Sequence, residues 1–196
     1  MNEPDWKEVE ERLYQESVSA IKQFSAEHAN EEICYFAFDS EPYYSYVLLC
    51  FDTTENSVME AKRSAERALN FTAQSIEKGM NWQMANSYMT SANLLPFTNN
   101  TGDFKYQGYT QVDFKGWQEF AESDAYPKGY SEDQDYLEGN LSIIFWKVID
   151  RLIQEKHFSV LKMASPFFVG YGFHDQDQVL LRIINWGNEE GIAEHN

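Results

Sequence analysis

The apolar stripe between residues 137 and 153 constrains the fold of this chain more than any other feature. Its apolar side chains recur at helical spacing, while Asp150, Arg151 and Glu155 take the opposite side. The pattern predicts an amphipathic helix, which must bury its stripe against another layer of structure. The stripe consists of Leu137, Leu141, Ile144, Phe145, Val148, Ile149, Leu152 and Ile153.

Two pairs of strand-like segments supply that other layer. Residues 33–38 and 45–51 are rich in aromatic and aliphatic side chains and are separated by a short polar turn. Residues 166–173 and 178–186 repeat the arrangement near the end of the chain. Each pair predicts a β-hairpin.

Two further helices are predicted in the first half of the chain. The first runs from about Trp6 to Phe24, with Pro4 in its first turn, where a missing N–H costs nothing. The second is marked by Ser57 and Glu60, which have the spacing of a capping box, and Gly79 would end it. Its apolar positions are mostly small, which favours close packing on a sheet: Val58, Ala61, Ala65, Ala68, Leu69, Thr72 and Ile76.

These elements predict a single α+β domain over residues 1–196. About three main helices would pack on an antiparallel sheet built from the N-terminal and C-terminal hairpins. Residues 99–103 have the composition of a turn, and residues 104–114 read as a further extended segment with a bulge at Gly108. We expect residues 187–196 to form a frayed polar tail.

The charge of the chain excludes several classes of partner. Fifteen Lys and Arg residues against 32 Asp and Glu residues give a net charge of −17, so we expect no nucleic acid and no membrane surface as a partner. The acidic N-terminus does not resemble a signal peptide, and the apolar runs are too short to cross a bilayer, which predicts a cytoplasmic protein. Cys34 and Cys50 lie in strand-like runs and are expected to be buried free thiols.

The common signatures of enzyme chemistry are missing from the sequence. It contains no phosphate-binding loop, dinucleotide-binding turn, nucleophile elbow, paired-histidine zinc helix or Cys-x-x-Cys pair. Its four histidines are scattered, and Asp175 and Asp177 are typical of a tight turn. We therefore expect no catalytic residue, no metal site and no cofactor.

The segment from Glu119 to Glu138 alternates carboxylates with aromatic side chains and is predicted to be a loop. Acidic side chains can steer a basic partner, and aromatic ones can anchor it. An equally economical interpretation makes the aromatic side chains core and leaves only the acids in solvent. The candidate partner-binding residues are Glu119, Glu122, Asp124, Tyr130, Glu132, Asp133, Asp135, Tyr136 and Glu138.

Taken in order, these features resemble a small bacterial family of unknown function, catalogued as DUF four-three-zero-three. The resemblance covers most of the chain and consists of soft hydrophobic patterns. The matching features are the strand 35–38 (Tyr-Phe-Ala-Phe), the turn Pro42-Tyr43-Tyr44, Trp82, Trp117, a long helix followed by Phe158, and the hydrophobic strand from Ile183 that runs into acidic residues at Glu190. Families of this kind look similar to the immunity proteins that accompany bacterial polymorphic toxins.

The resemblance implies a non-catalytic binding module, an immunity protein that captures a basic toxin domain such as a nuclease. An alternative from another class is an enzyme of unrecognised type that uses clustered carboxylates with a bound divalent metal. A deep pocket in which two or more carboxylates meet at one point would favour the enzyme.

Overall fold

The computed structural model describes residues 3–78, 97–126, 134–174 and 179–184. These residues form four helices and five strands in a single α+β arrangement, as predicted. The helices are α1 (Trp6–Glu27), α2 (Thr54–Glu77), α3 (Trp117–Ala121) and α4 (Gln134–Gln154). The strands are β1 (Ile33–Glu41), β2 (Tyr46–Thr53), β3 (Tyr106–Asp113), β4 (Met163–Phe173) and β5 (Val179–Ile184). Short 3₁₀ turns occupy Pro42–Tyr44, Thr101–Asp103 and His157–Val160.

The sheet has the strand order β3-β2-β1-β4-β5, which confirms that both hairpins contribute to it. Every neighbouring pair is antiparallel except β1 with β4, which is parallel. The parallel pair arises because the two strands begin side by side: the N–H of Ile33 donates to the carbonyl of Lys162 over 2.9 Å. The two hairpins are therefore joined along their first strands.

One face of the sheet carries the main core, under α1 and α4. The ring centroids of Phe38 and Phe145 lie 5.1 Å apart, and those of Phe24 and Phe51 lie 4.1 Å apart. The predicted stripe on α4 is confirmed, because seven of its members are buried and Ile153 is half-buried against the core. Side chains alternate between the faces of a strand, so Ala37, between Phe36 and Phe38, belongs to the smaller apolar cluster on the opposite face.

The start of α1 differs from the prediction. Asp5 is the N-cap residue, and its Oδ1 accepts from the backbone N–H groups of Lys7 and Glu8 at 3.0 and 3.2 Å. Pro4 therefore precedes the helix and is not in its first turn. A carboxylate at this position satisfies two free donors and also interacts favourably with the helix dipole, which proline cannot do.

The predicted start of α2 at a capping box is wrong. The chain passes directly from β2 into the helix at Thr54, and the Thr53 hydroxyl accepts from the N–H of Asn56 at 3.2 Å. Ser57 lies inside the helix, where its buried hydroxyl accepts from the N–H of Thr98 at 3.0 Å. A tertiary contact therefore uses the side chain that the local pattern assigned to a cap.

The packing of α2 on the sheet is also less extensive than predicted. Of its predicted apolar positions, Val58, Ala61, Ala65 and Ala68 are half-buried, and Leu69 is exposed. The side chains of Thr72 and Ile76 and the predicted stop at Gly79 lie outside the described residues.

The predicted turn at residues 99–103 and the predicted extended segment at residues 104–114 are confirmed. Thr101–Asp103 forms a 3₁₀ turn in which the Asn100 side chain accepts from the N–H of Gly102. β3 follows, and Gly108 adopts φ = 54°, a left-handed conformation that favours glycine, where the register with β2 shifts. Residues 79–96, 175–178 and 185–196 lie outside the described part, as do the predictions made for them at Asp175, Asp177 and residues 187–196.

Cys34 and Cys50 are free and buried, as predicted. Burial is the main cause that raises the pKa of each thiol to about 12. Both side chains are therefore neutral at physiological pH and serve as small apolar groups of the sheet.

Candidate functional site

The predicted partner-binding residues fall into three groups. Glu119, Glu122 and Asp124 are exposed, on α3 and just beyond it. Tyr136 and Glu138 are half-buried in the first turns of α4. Tyr130, Glu132 and Asp133, together with the side chain of Asp135, lie outside the described residues.

The prediction of one loop from Glu119 to Glu138 is wrong at both ends. Trp117–Ala121 forms α3, and α4 already begins at Gln134. The helix forms here because Trp117 and Phe120 are both buried, which anchors a short amphipathic turn to the core.

The aromatic side chains of this segment mostly face the core. Trp117 stacks on Phe114 with 4.6 Å between ring centroids, and Tyr126 packs on Phe120 at 5.4 Å. The Tyr136 hydroxyl donates to Glu3 over 2.5 Å, which raises the pKa of the tyrosine. Of the two interpretations left open by the sequence, the described aromatic side chains follow the one that places them in the core, with the acids outside.

The turn Pro42–Tyr44 places the exposed Tyr44 and the half-buried Tyr43 beside α3. The Phe114 N–H donates to the Ser45 carbonyl over 2.7 Å, and the Tyr43 hydroxyl donates to Glu122 over 2.6 Å. These bonds join residues that are 69 and 79 positions apart in the sequence. Tyr44 stands free of them and is 66% exposed.

We call this region the acidic tyrosine surface and define it by Glu41, Tyr43, Tyr44, Glu119, Glu122 and Asp124. Its four carboxylates come from two stretches of sequence, residues 23–61 and 116–127, that contain no Lys or Arg. Sequence reasoning missed the two tyrosines because it assigned them only to a turn. The absence of basic residues from both stretches was a signal that could have found the surface.

Two hydrogen bonds favour the charged form of the Glu122 carboxylate. The Tyr43 hydroxyl, and after it the Gln118 amide, donate to this carboxylate and lower its pKa. A tyrosine hydroxyl is a neutral donor, so it fixes the carboxylate without cancelling its charge.

The same pairing of a tyrosine with a glutamate recurs elsewhere in the described residues, with donor–acceptor distances of 2.5 to 2.7 Å. The other pairs are Tyr14 with Glu155, Tyr106 with Glu31, Tyr109 with Glu27 and Tyr136 with Glu3. The chain thus orients part of its negative surface by hydrogen bonds to uncharged groups.

Two buried carboxylates lie apart from this surface. Asp52 Oδ1 accepts from the N–H of Thr53, the Asn56 amide and the N–H of Lys105 at 2.8 to 3.1 Å. Burial raises the pKa of Asp52, and its bonds tie the start of α2 to β3. Asp39 lies on β1 and accepts from the Thr101 hydroxyl. Asp52 on β2 lies opposite Tyr35 of β1, so Asp39 is four residues further along that strand. The two carboxylates do not meet at one point, because four residues of strand span about 13 Å.

Within the described parts of the chain, no group of three or more His, Cys, Asp or Glu side chains could hold a metal ion. The described histidines lie on separate elements. His28 ends α1, and His174 follows β4. His157 begins the 3₁₀ turn His157–Val160 and contacts Tyr14 of α1.

Comparison with known proteins found no matching family model, no matching curated protein and no matching solved structure. The resemblance to DUF four-three-zero-three accordingly rests on the sequence pattern alone. None of the helices in the described ranges has the length and apolar character needed to span a bilayer.

Proposed function

We propose that this chain is a non-catalytic binding module that neutralises a basic bacterial toxin domain, in the manner of a cytoplasmic immunity protein. The observation that carries the proposal is the acidic tyrosine surface, where the exposed ring of Tyr44 contacts Tyr43, whose hydroxyl holds Glu122, and both stretches of sequence lack Lys and Arg. Such a surface complements a domain rich in Lys and Arg. The family resemblance points to the same class of protein.

The proposed mechanism has two stages and no chemical step. The net charge of −17 attracts a basic partner over about one Debye length, which is ~8 Å at physiological salt. Tyr44 then inserts into the partner as an aromatic anchor, and the carboxylates of the acidic tyrosine surface pair with basic side chains. Glu122 is already oriented by Tyr43, so less side-chain entropy is lost when it binds.

The remaining predicted residues extend the proposed interface along the chain. Replacing Glu132, Asp133 and Asp135 by Lys would change the net charge from −17 to −11, since each replacement adds two positive charges. We expect this triple variant to bind the toxin with a slower association rate. Truncating Tyr130 should act mainly on dissociation, because an aromatic anchor slows the release of a bound partner.

The test begins with a partner captured from the native host by the full chain. The captured protein must stop cell growth when it is produced alone, and co-production of this chain must restore growth. Binding kinetics at several salt concentrations then compare the wild type with the variant Glu119→Lys/Asp124→Lys. We expect its association rate to fall, and the wild-type rate to fall as salt is raised.

A matched control separates a local interface from the overall charge. Glu66→Lys/Glu77→Lys changes two exposed acids on α2 and gives the same net charge of −13. The acidic tyrosine surface is excluded as the interface if both double variants slow association equally, or if Tyr44→Ala leaves dissociation unchanged. The proposed function itself fails if the captured partner is not toxic or is not neutralised.

A further inference from the structure

The two edges of the sheet differ in how they are protected. β3 forms one edge, and among the described residues β5 forms the other with a strand neighbour only on its β4 side. An edge strand presents unpaired backbone N–H and C=O groups that can pair with another chain. Five of the six residues in β5 are aliphatic, and the strand contains no Pro, Gly or Lys.

Exposed apolar side chains are concentrated at β5. Val179, Leu180 and Ile183 of this strand are exposed, as are Ile143 and Trp146 on the outer side of α4. These five are half of the ten large apolar side chains found exposed in the described residues. Exposed apolar side chains gathered in one region are typical of an interaction site.

Exposed apolar side chains flank this edge on both faces of the sheet. Arg182 of β5 pairs with Asp150 of α4, with 2.7 Å between Nη2 and Oδ1, and its guanidinium lies 5.8 Å from the centroid of the Trp146 ring. Val179 lies opposite Tyr171 in the antiparallel pair, and the Tyr171 ring contacts Phe145 of α4. Val179 and Trp146 therefore lie on the same side of the sheet. Leu180 and Ile183 lie opposite Gly170 and Phe168 and point to the other face, where Phe168 packs in the smaller cluster. We call the exposed apolar residues on both faces the β5 edge patch: Ile143, Trp146, Val179, Leu180 and Ile183.

The opposite edge is unsuited to strand pairing. β3 contains Gly108 in a left-handed conformation with a register shift opposite it, and it ends at the exposed Asp113. Bulges and charged side chains are the devices that protect sheet edges in natural proteins. An association of β5 with β3 of another copy, which would continue into a filament, is therefore disfavoured.

The charge of the patch indicates which partner suits it. Arg182 and Asp150 cancel each other there, whereas the whole chain carries −17. Two copies of so acidic a chain repel each other, so they can meet most easily where the local charge is balanced and apolar. An antiparallel strand edge is also self-complementary about a two-fold axis.

We propose that two copies of this chain associate through β5 to form a symmetric dimer with one continuous sheet. The β5 strands pair antiparallel, and the β5 edge patches of the two copies cover each other. The dimer closes because, among the described strands, only β5 offers an edge suited to pairing. This inference does not depend on the proposed function.

Sedimentation velocity of the full chain over a range of concentrations tests the proposal. We expect the dimer fraction to rise with protein concentration and also with added salt, because salt screens the repulsion between the two acidic copies. The toxin complex proposed above has the opposite dependence on salt. A chain that remains monomeric throughout the range overturns the proposal.

Variants locate the interface. Val179→Lys should weaken the dimer by roughly tenfold or more, because it places a cation without a partner in an apolar interface. Val160→Lys is the matched control: Val160 is 48% exposed on the 3₁₀ turn, Val179 is 47% exposed, and the charge change is the same. Ile183→Lys is a second edge variant. Dimerisation that survives both edge variants contradicts the proposal.

A measurement on the unmodified protein guards against a variant that fails to fold. Hydrogen exchange at low and high concentration should show that the backbone amides of β5 gain protection in the dimer while those of β3 do not. Protection gained at β3 and not at β5 would place the interface elsewhere and refute the assignment.

Discussion

The adjacent residues Ile143 and Ile144 provide a sharp test of how α4 is oriented. They share the same side chain and the same helix, but Ile144 is 3% exposed in the core and Ile143 is 54% exposed on the outer side. Replacing each with Ala removes the same atoms and gives the same gain in helix propensity. The difference between the two variants therefore measures burial alone.

The magnitudes follow from the buried groups. Truncating Ile144 removes three buried carbon groups, about 2.4 kcal/mol of transfer free energy, and leaves a cavity that adds to the cost. Ala has a better helix propensity than Ile, which offsets about 0.4 kcal/mol of this cost. The free energy of unfolding should therefore fall by about 3 kcal/mol in total. Ile143 is already half in solvent, so its truncation should cost less than about 1 kcal/mol.

Urea denaturation followed by circular dichroism measures both losses. With a slope of about 3 kcal/mol per molar urea for a chain of this size, Ile144→Ala should lower the midpoint by about 1 M. Ile143→Ala should lower it by less than about a third of that value. The titrations are made at two protein concentrations, so that any effect of Ile143 on the proposed dimer is recognised by its concentration dependence. Equal midpoint shifts for the two variants at low concentration would show that the buried side of α4 is assigned wrongly.

Three further predictions concern thiols, acid and a helix cap. Cys34 and Cys50 should react with a thiol reagent at least roughly tenfold more slowly in the native protein than in urea, because both thiols are buried and neutral; equal rates would refute their burial. A hydrogen bond from the Tyr14 hydroxyl is the main cause, and one from Arg151 the next, that lowers the pKa of Glu155 from 4.5 to about 2. The stabilising effect of the charged Glu155 carboxylate is therefore complete above pH 4.5 and is lost as the pH falls toward 2. A carboxyl NMR titration should show that Tyr14→Phe moves this pKa upward, and an unchanged value would contradict the hydrogen bond. Thr53→Ala should cost about 1 kcal/mol in thermal unfolding, since it removes the acceptor for the N–H of Asn56; no loss of stability would mean that the helix is capped by another group.

The proposed dimer and the proposed toxin interface use different parts of the molecule. The dimer involves the outer side of α4 and β5, whereas the acidic tyrosine surface lies at α3 and the turn Pro42–Tyr44. Variants of one surface should therefore leave the other activity unchanged. Their opposite responses to salt provide a second distinction, because one association joins two acidic copies and the other joins opposite charges.

The sequence by itself determined the elements whose pattern is local. The stripe on α4 repeats every three or four residues, and the two hairpins are marked by apolar runs around polar turns, so neighbouring residues specify each of them. Gly108 and the turn at residues 101–103 were also predictable, because backbone conformation at such sites depends on the residue itself. The excess of acid followed from simple counting.

Only the tertiary structure decided which distant residues meet. The cap pattern at Ser57 was overridden because the N–H of Thr98, 41 residues away, uses its hydroxyl. The parallel pairing of β1 with β4 and the contact of Tyr43 with Glu122 likewise join segments that no local pattern connects. The same holds for the inward packing of Trp117 and Phe120 and the outward position of Tyr44. An aromatic side chain suits a core and an interface equally well, and only the packing of the whole chain determines which it occupies.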